Sequence, residues 1–260
     1  MKKFLAVASL AVLTLAGCGI TEEEKVLPKK NIDLVALGDS LTVGVGDEEE
    51  INGYAGRLAQ AMPTEMNGIN EVDLLETAKK GRRSDELIAQ IKSGDIDEEL
   101  KTAEFITLTI GGNDLMKVMR ENITALKKSN FDEQRPLYEK RYEEIFKLIR
   151  ERNLKAPIVA IGVYNPLTVY TDDSSQFEEI VDEWNSDMKK VVESDKHAVF
   201  VAVEDLFISN KEKVYSDDYF HPNAKGYTNM TNRILDTLKK KDLSELSGGK
   251  IEMKGDQEDE

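Results

Sequence analysis

Three short segments of this 260-residue chain carry residue types suited to nucleophilic acyl chemistry. In Gly38-Asp39-Ser40-Leu41-Thr42 the glycine follows an apolar run and permits a tight strand-to-helix turn that presents the Ser40 hydroxyl. A backbone N–H at such a helix start is also a ready donor to an anion. In Asp218-Tyr219-Phe220-His221-Pro222-Asn223 an aspartate stands three residues before a histidine, so its carboxylate can turn back to the imidazole. That contact fixes the tautomer and stabilises the imidazolium formed when the other nitrogen takes a proton. In Gly111-Gly112-Asn113-Asp114 two glycines allow a sharp turn, and the Asn113 amide can donate into a crevice. Each segment also has a plainer reading: an N-cap serine, an Asx-capped glycine turn, a capping turn with an incidental histidine. Of the chain's two histidines, His197 precedes an apolar run and reads as a surface loop residue. Only His221 is placed to act as a base.

The elements that must position these groups alternate. Short apolar runs at 31–37, 72–75, 105–110, 157–163 and 198–203 read as strands. Between and after them, helical spacing covers 54–62, 84–93, 136–153, 176–193 and 223–238. Such alternation argues for βαβ units, a mostly parallel five-stranded sheet, and helices on both faces. In sheets of that kind ligands bind beyond the carboxyl ends of the strands. The three segments above fall there.

The ends of the chain read differently from its middle. Residues 1–17 form a signal peptide, with Lys2 and Lys3 ahead of an apolar run too short to span a bilayer. The run ends in Leu15-Ala16-Gly17-Cys18, which resembles a bacterial lipobox cleaved before its cysteine. Cys18 is the only cysteine, so no internal disulfide is open to the chain, and lipidation of this thiol fits. A small residue buried in an N-terminal helix is the plainer alternative, and it leaves the basic start unexplained. The expectation is a protein exported from the cytoplasm and held on the cell membrane by a lipid anchor at Cys18. Residues 18–30 then read as a tether, 31–238 as one α/β domain, and 239–260 as a charged, disordered tail.

A formal net charge of −15 argues against nucleic acid as a partner. No G-x-G-x-x-G or G-x-x-x-x-G-K-[ST] follows the first strand, which removes the common nucleotide-binding readings. The acidic run Asp47-Glu48-Glu49-Glu50 lacks the oxygen-ligand spacing of a calcium loop and reads as a solvated loop. Its closeness to Ser40 in sequence leaves open a role at the mouth of a site, disfavouring anionic substrates. Residues 115–135 admit two readings, a substrate lid rich in methionine or a crossover helix whose methionines are core.

Taken together, the Gly38–Leu41, Gly111–Asp114 and Asp218–His221 segments resemble the blocks of the SGNH family, the GDSL-type esterases and lipases. The resemblance spans about 31–238 and implies a three-layer α/β/α sandwich of flavodoxin-like type. It implies Ser40 as nucleophile, His221 as general base and then acid, and Asp218 as the orienting carboxylate. It implies an oxyanion hole made by the Ser40 backbone N–H, the Gly81 backbone N–H and the Asn113 side chain. The segment before Gly81 departs from the pattern, because Glu76 or Thr77 stands where the family usually has an asparagine. The activity implied is hydrolysis of small-molecule or lipid carboxylic esters, with no metal and no cofactor. Lysophospholipids and O-acetylated sugars are both open as substrates, and so is the oligomeric state. The alternative is a non-catalytic surface lipoprotein that binds lipid or glycan in the same crevice. The presence of Ser40, Asp218 and His221 together argues against it.

Overall fold

The computed structural model describes residues 27–169, 175–208 and 213–255. The expected signal peptide, Cys18 and the tether up to residue 26 lie outside the described residues. The chain runs β1 (Lys30–Gly38), α1 (Ser40–Val43), α2 (Gly53–Glu65), β2 (Met66–Asn67), β3 (Ile69–Glu76), α3 (Ser84–Ser93) and α4 (Asp97–Thr102). It continues β4 (Phe105–Thr109), α5 (Gly112–Glu121), α6 (Lys128–Arg152), β5 (Ile158–Ile161), α7 (Ser175–Glu193) and β6 (Ala198–Val201). It closes with α8 (Ala224–Lys240), α9 (Leu243–Ser247) and β7 (Glu252–Met253).

Five strands pair in parallel in the order β3-β1-β4-β5-β6. The first strand in sequence lies inside the sheet, so the winding reverses between β1 and β4, and that switch point opens a crevice. Alternate residues of each strand face opposite layers. Val35, Leu37, Ile106, Leu108, Ile158 and Ala160 pack with α3, α4, α6 and α7. Leu34, Ala36, Phe105, Val159, Ile161 and Val201 pack with α2 and α8. Burial on both faces is why these strands read as continuous apolar runs. The α/β/α sandwich expected from the sequence is the fold observed.

Two expectations need correction. Helix α6 starts at Lys128, ahead of the predicted start at 136, with Pro136 inside it. Its first turns carry few apolar residues because charge holds them: Lys128 reaches Glu183 at 2.8 Å, and Arg135 reaches Asp187 at 2.8 Å, both on α7. The predicted tail 239–260 is ordered through its described part, to residue 255. There Leu243, Leu246 and Ile251 are buried against the α2/α8 layer, and β7 pairs antiparallel with β2. Three apolar residues around the Gly248-Gly249 turn were too sparse to show periodicity.

Candidate active site

The site begins at the carboxyl end of β1. Gly38 has φ +150°, and a Cβ there would lie 2.4 Å from Thr109 Oγ1, so only glycine lets β1 approach β4 this closely. Asp39 caps α1 by accepting the Leu41 N–H at 3.1 Å, and its Oδ1 also accepts the Thr109 hydroxyl at 3.0 Å. Thr109 in turn meets Thr42 at 2.8 Å, and Thr42 meets the Tyr54 hydroxyl at 2.8 Å. Burial pushes the Asp39 carboxyl up to about 6, against these hydrogen bonds, which favour its charged form. This buried network fixes the turn that carries Ser40, itself buried at 6% exposure.

The second part of the site is the loop before α8. His221 Nε2 lies 2.9 Å from Ser40 Oγ, and His221 Nδ1 lies 2.6 Å from Asp218 Oδ2. Asp218 Oδ1 accepts three further bonds, from the Phe220 N–H at 2.9 Å, the His221 N–H at 2.8 Å and the Ser216 hydroxyl at 2.8 Å. Partial burial pushes the Asp218 carboxyl up, but the His221 ring and these donors outweigh it and hold the group well below the usual carboxylate range. The loop is closed by the Ser216 N–H on the His221 carbonyl at 2.8 Å. The Tyr164 hydroxyl donates to the Phe220 carbonyl at 2.6 Å.

The acidic run 47–50 is a brace for this loop. Asp47 is buried, ion-paired to Arg57 at 2.6 Å, and accepts the Gly53 N–H at 3.0 Å. Glu48 accepts the Ala224 N–H at the start of α8 at 2.8 Å, and the Tyr227 hydroxyl donates to the Val45 carbonyl at 2.7 Å. Burial of Asp47 corrects the solvated-loop reading for that residue, and neither Asp47 nor Glu48 is among the residues lining the crevice beside Ser40. Asp47 orders its own loop against α2, and Glu48 joins that loop to the start of α8.

Asn113 sits in the first turn of α5 and lines the crevice with Ser40. Its Nδ2 donates to the Arg82 carbonyl at 3.1 Å. Gly111 before it has φ +120°, and a Cβ there would lie 2.1 Å from the Tyr138 hydroxyl. Gly81 is exposed on the turn after β3 with φ +77°, next to Arg82; like Asp218 and His221, it is not among the residues that line the apolar crevice. The Ser40 and Gly81 backbone N–H groups make no hydrogen bond among the described residues.

Most of the rest of the crevice wall is apolar, Leu115, Met116, Val163, Pro166, Phe177 and Phe220 among it, with Asp39, Thr109 and Tyr164 as polar neighbours. Of residues 115–135, the first turns of α5 supply this wall, while Met119 packs on the core and Leu126 is exposed. Among the described residues no cluster of three or more His, Cys, Asp or Glu is arranged to hold a metal ion. Arg82, Tyr164 and Phe177 carry no motif signal in the sequence. The first is hidden in a charged run, and the other two read as ordinary core.

Residues 36–228 match the GDSL-like lipase/acylhydrolase family. A Bacillus subtilis protein, uncharacterised protein YpmR, is 36% identical over 253 residues, which are 94% of this chain and 98% of that one. The spore germination lipase LipC of Bacillus licheniformis is 29% identical over 210 residues, 78% of this chain and 94% of its own. Among solved structures, the lipase Lip_vut3 from a goat rumen metagenome superposes with a TM-score of 0.69 at 26% identity, covering 79% of this chain and 97% of its own. With its fold, its Ser40 turn and its Asp218–His221 loop in place, the chain belongs to the GDSL-like lipase/acylhydrolase family.

Proposed function

We propose that this protein is a serine ester hydrolase that cleaves carboxylic esters of apolar acyl chains through an acyl-Ser40 intermediate. The observation that carries the reading is the unbroken hydrogen-bonded chain from Asp218 through His221 to the Ser40 hydroxyl, opening onto an apolar crevice. His221 takes the Ser40 proton as the oxygen attacks the ester carbonyl, and the carbonyl electrons move onto its oxygen. The Ser40 N–H, the Asn113 amide and the Gly81 N–H stabilise that oxyanion. Collapse expels the alcohol, which takes its proton from His221. A water molecule, deprotonated by the same imidazole, then releases the acid and restores Ser40.

The crevice lining favours acyl chains over acetylated sugars. Met116, Phe177 and Phe220 offer dispersion contacts and few polar partners, whereas a sugar brings hydroxyls that lose water without replacement. Relatives named as lipases support the same direction. Lipidation of Cys18, expected from the leader, would hold the enzyme at the membrane where such esters reside.

Two assays test these points. Hydrolysis of p-nitrophenyl acetate, butyrate, octanoate and palmitate should favour the longer chains and vanish in Ser40→Ala. Fastest turnover of acetate, with octanoate inert, would overturn the acyl-chain preference. Metabolic labelling with an alkyne fatty acid should mark the wild-type chain and spare Cys18→Ala; equal labelling of both would remove the anchor.

A further inference from the structure

Two arginines of the described chain are buried, and they are held in opposite ways. Arg57 meets Asp47 at 2.6 Å and Glu49 at 2.7 Å. Arg82, at 7% exposure, lies within the field of Glu86 and Asp39 but makes no ion pair with a carboxylate among the described residues. Its Nη1 instead donates to two backbone carbonyls, Thr77 at 2.7 Å and Gly38 at 3.3 Å. The Gly38 carbonyl also receives the Lys79 N–H at 3.1 Å, and the Arg82 N–H closes the turn onto the Lys79 carbonyl at 3.1 Å. The Arg82 carbonyl holds the Asn113 amide at 3.1 Å.

Burying a guanidinium without a directly paired carboxylate is a poor way to gain stability. An apolar side chain of the same volume would fill the space at lower cost. What the arrangement achieves is connection. The guanidinium ties the Thr77 carbonyl to the carbonyl two positions before Ser40, and so fixes the course of a backbone whose own N–H closes the turn that bears Gly81 and whose carbonyl holds the Asn113 side chain. It does so in the loop where the asparagine usual in the family is missing. We propose that Arg82 is a positioning residue that fixes the mutual geometry of the three oxyanion donors. This rests on the ester-hydrolase reading above.

The test is steady-state hydrolysis of p-nitrophenyl butyrate by the full chain and by Arg82→Met, Arg82→Lys, Asn113→Ala and the Arg82→Met/Asn113→Ala double variant. Displacing catalytic groups by about 1 Å costs on the order of 10²-fold in rate. Arg82→Met should therefore lower kcat by about that factor, with KM changed less than about threefold. Arg82→Lys, which keeps a charged donor, should recover about tenfold of the loss. In the Asn113→Ala background the same Arg82→Met change should cost clearly less than in wild type, because one of the three donors it aligns is already gone. Independent, multiplying losses would overturn the proposal, as would an Arg82→Met enzyme within about threefold of wild type. If Arg82→Met fails to fold, Arg82→Lys is read in the same cycle, with the same two outcomes. An inactive wild type overturns the hydrolase reading itself, whereas an active wild type matched by its Arg82 variants overturns only this inference.

Discussion

The two histidines mark opposite ends of one sheet. At the carboxyl end His221 lies between Ser40 and Asp218, with both ring nitrogens engaged and an apolar crevice in front. At the amino end His197 precedes β6 and uses Nδ1 on the Leu246 carbonyl at 2.8 Å. Beside His197, Arg150 pairs with Asp195 and donates to the His197 carbonyl at 3.2 Å. Around Ser40 the groups are less settled. A carboxyl is buried beside the nucleophile, an arginine is buried without a directly paired carboxylate, and two backbone N–H groups are left unbonded among the described residues. Satisfied polar groups hold a fold together, and groups held short of satisfaction are available to a reacting molecule. The same residue type therefore has a different meaning at each end.

The largest way to break this comparison is His221→Ala, expected to lower kcat/KM for a p-nitrophenyl ester by about 10⁴–10⁶. A loss of less than tenfold would leave the two ends alike. Asn113→Ala should cost about 10²–10³ in kcat, the usual effect of one missing oxyanion donor. Unchanged turnover would remove it from the site.

Asp39→Asn sharpens the contrast through stability. The folded state raises the Asp39 carboxyl to about 6, so its favourable contribution is complete below the unfolded value near 3.8 and is lost as pH rises through about 6. An asparagine keeps an acceptor for Leu41 and Thr109 without the charge. Thermal melts should show Asp39→Asn more stable than wild type at pH 8, on the order of 3 kcal/mol, with the difference gone near pH 4. A difference independent of pH would contradict this account of the buried carboxyl. The smallest effect belongs to His197→Ala, which should lose about 1 kcal/mol of stability with one hydrogen bond and leave kcat within about twofold. A large fall in turnover there would erase the distinction between the ends.

Much of this layout was legible in the sequence. The inner strands β1, β4 and β5 showed because they are buried on both faces, and the chemistry showed because Gly38 and Gly111 sit just beyond such runs and Asp218–His221 leads into α8. What escaped detection was fixed by partners distant in sequence. Ser84 was seen as a helix start, but not as the group that takes both oxygens of Asp114, at 2.6 and 3.0 Å. The role of Glu48 depends on Ala224, and that of Arg82 on Gly38 and Asn113. Charged residues of this sort carry no periodic signal, so a run such as Asp47–Glu50 looks solvated until its partners are known. The ordered 243–253 segment was hidden for a related reason, because two turns of apolar contact give too little repetition to read.

The most direct measurement is mass spectrometry of the purified protein after treatment with a fluorophosphonate. One adduct is expected, on the peptide containing Ser40, absent in Ser40→Ala and formed far more slowly in His221→Ala. No adduct on Ser40, or equal labelling with and without His221, would contradict the claim that these residues form a working nucleophile and base.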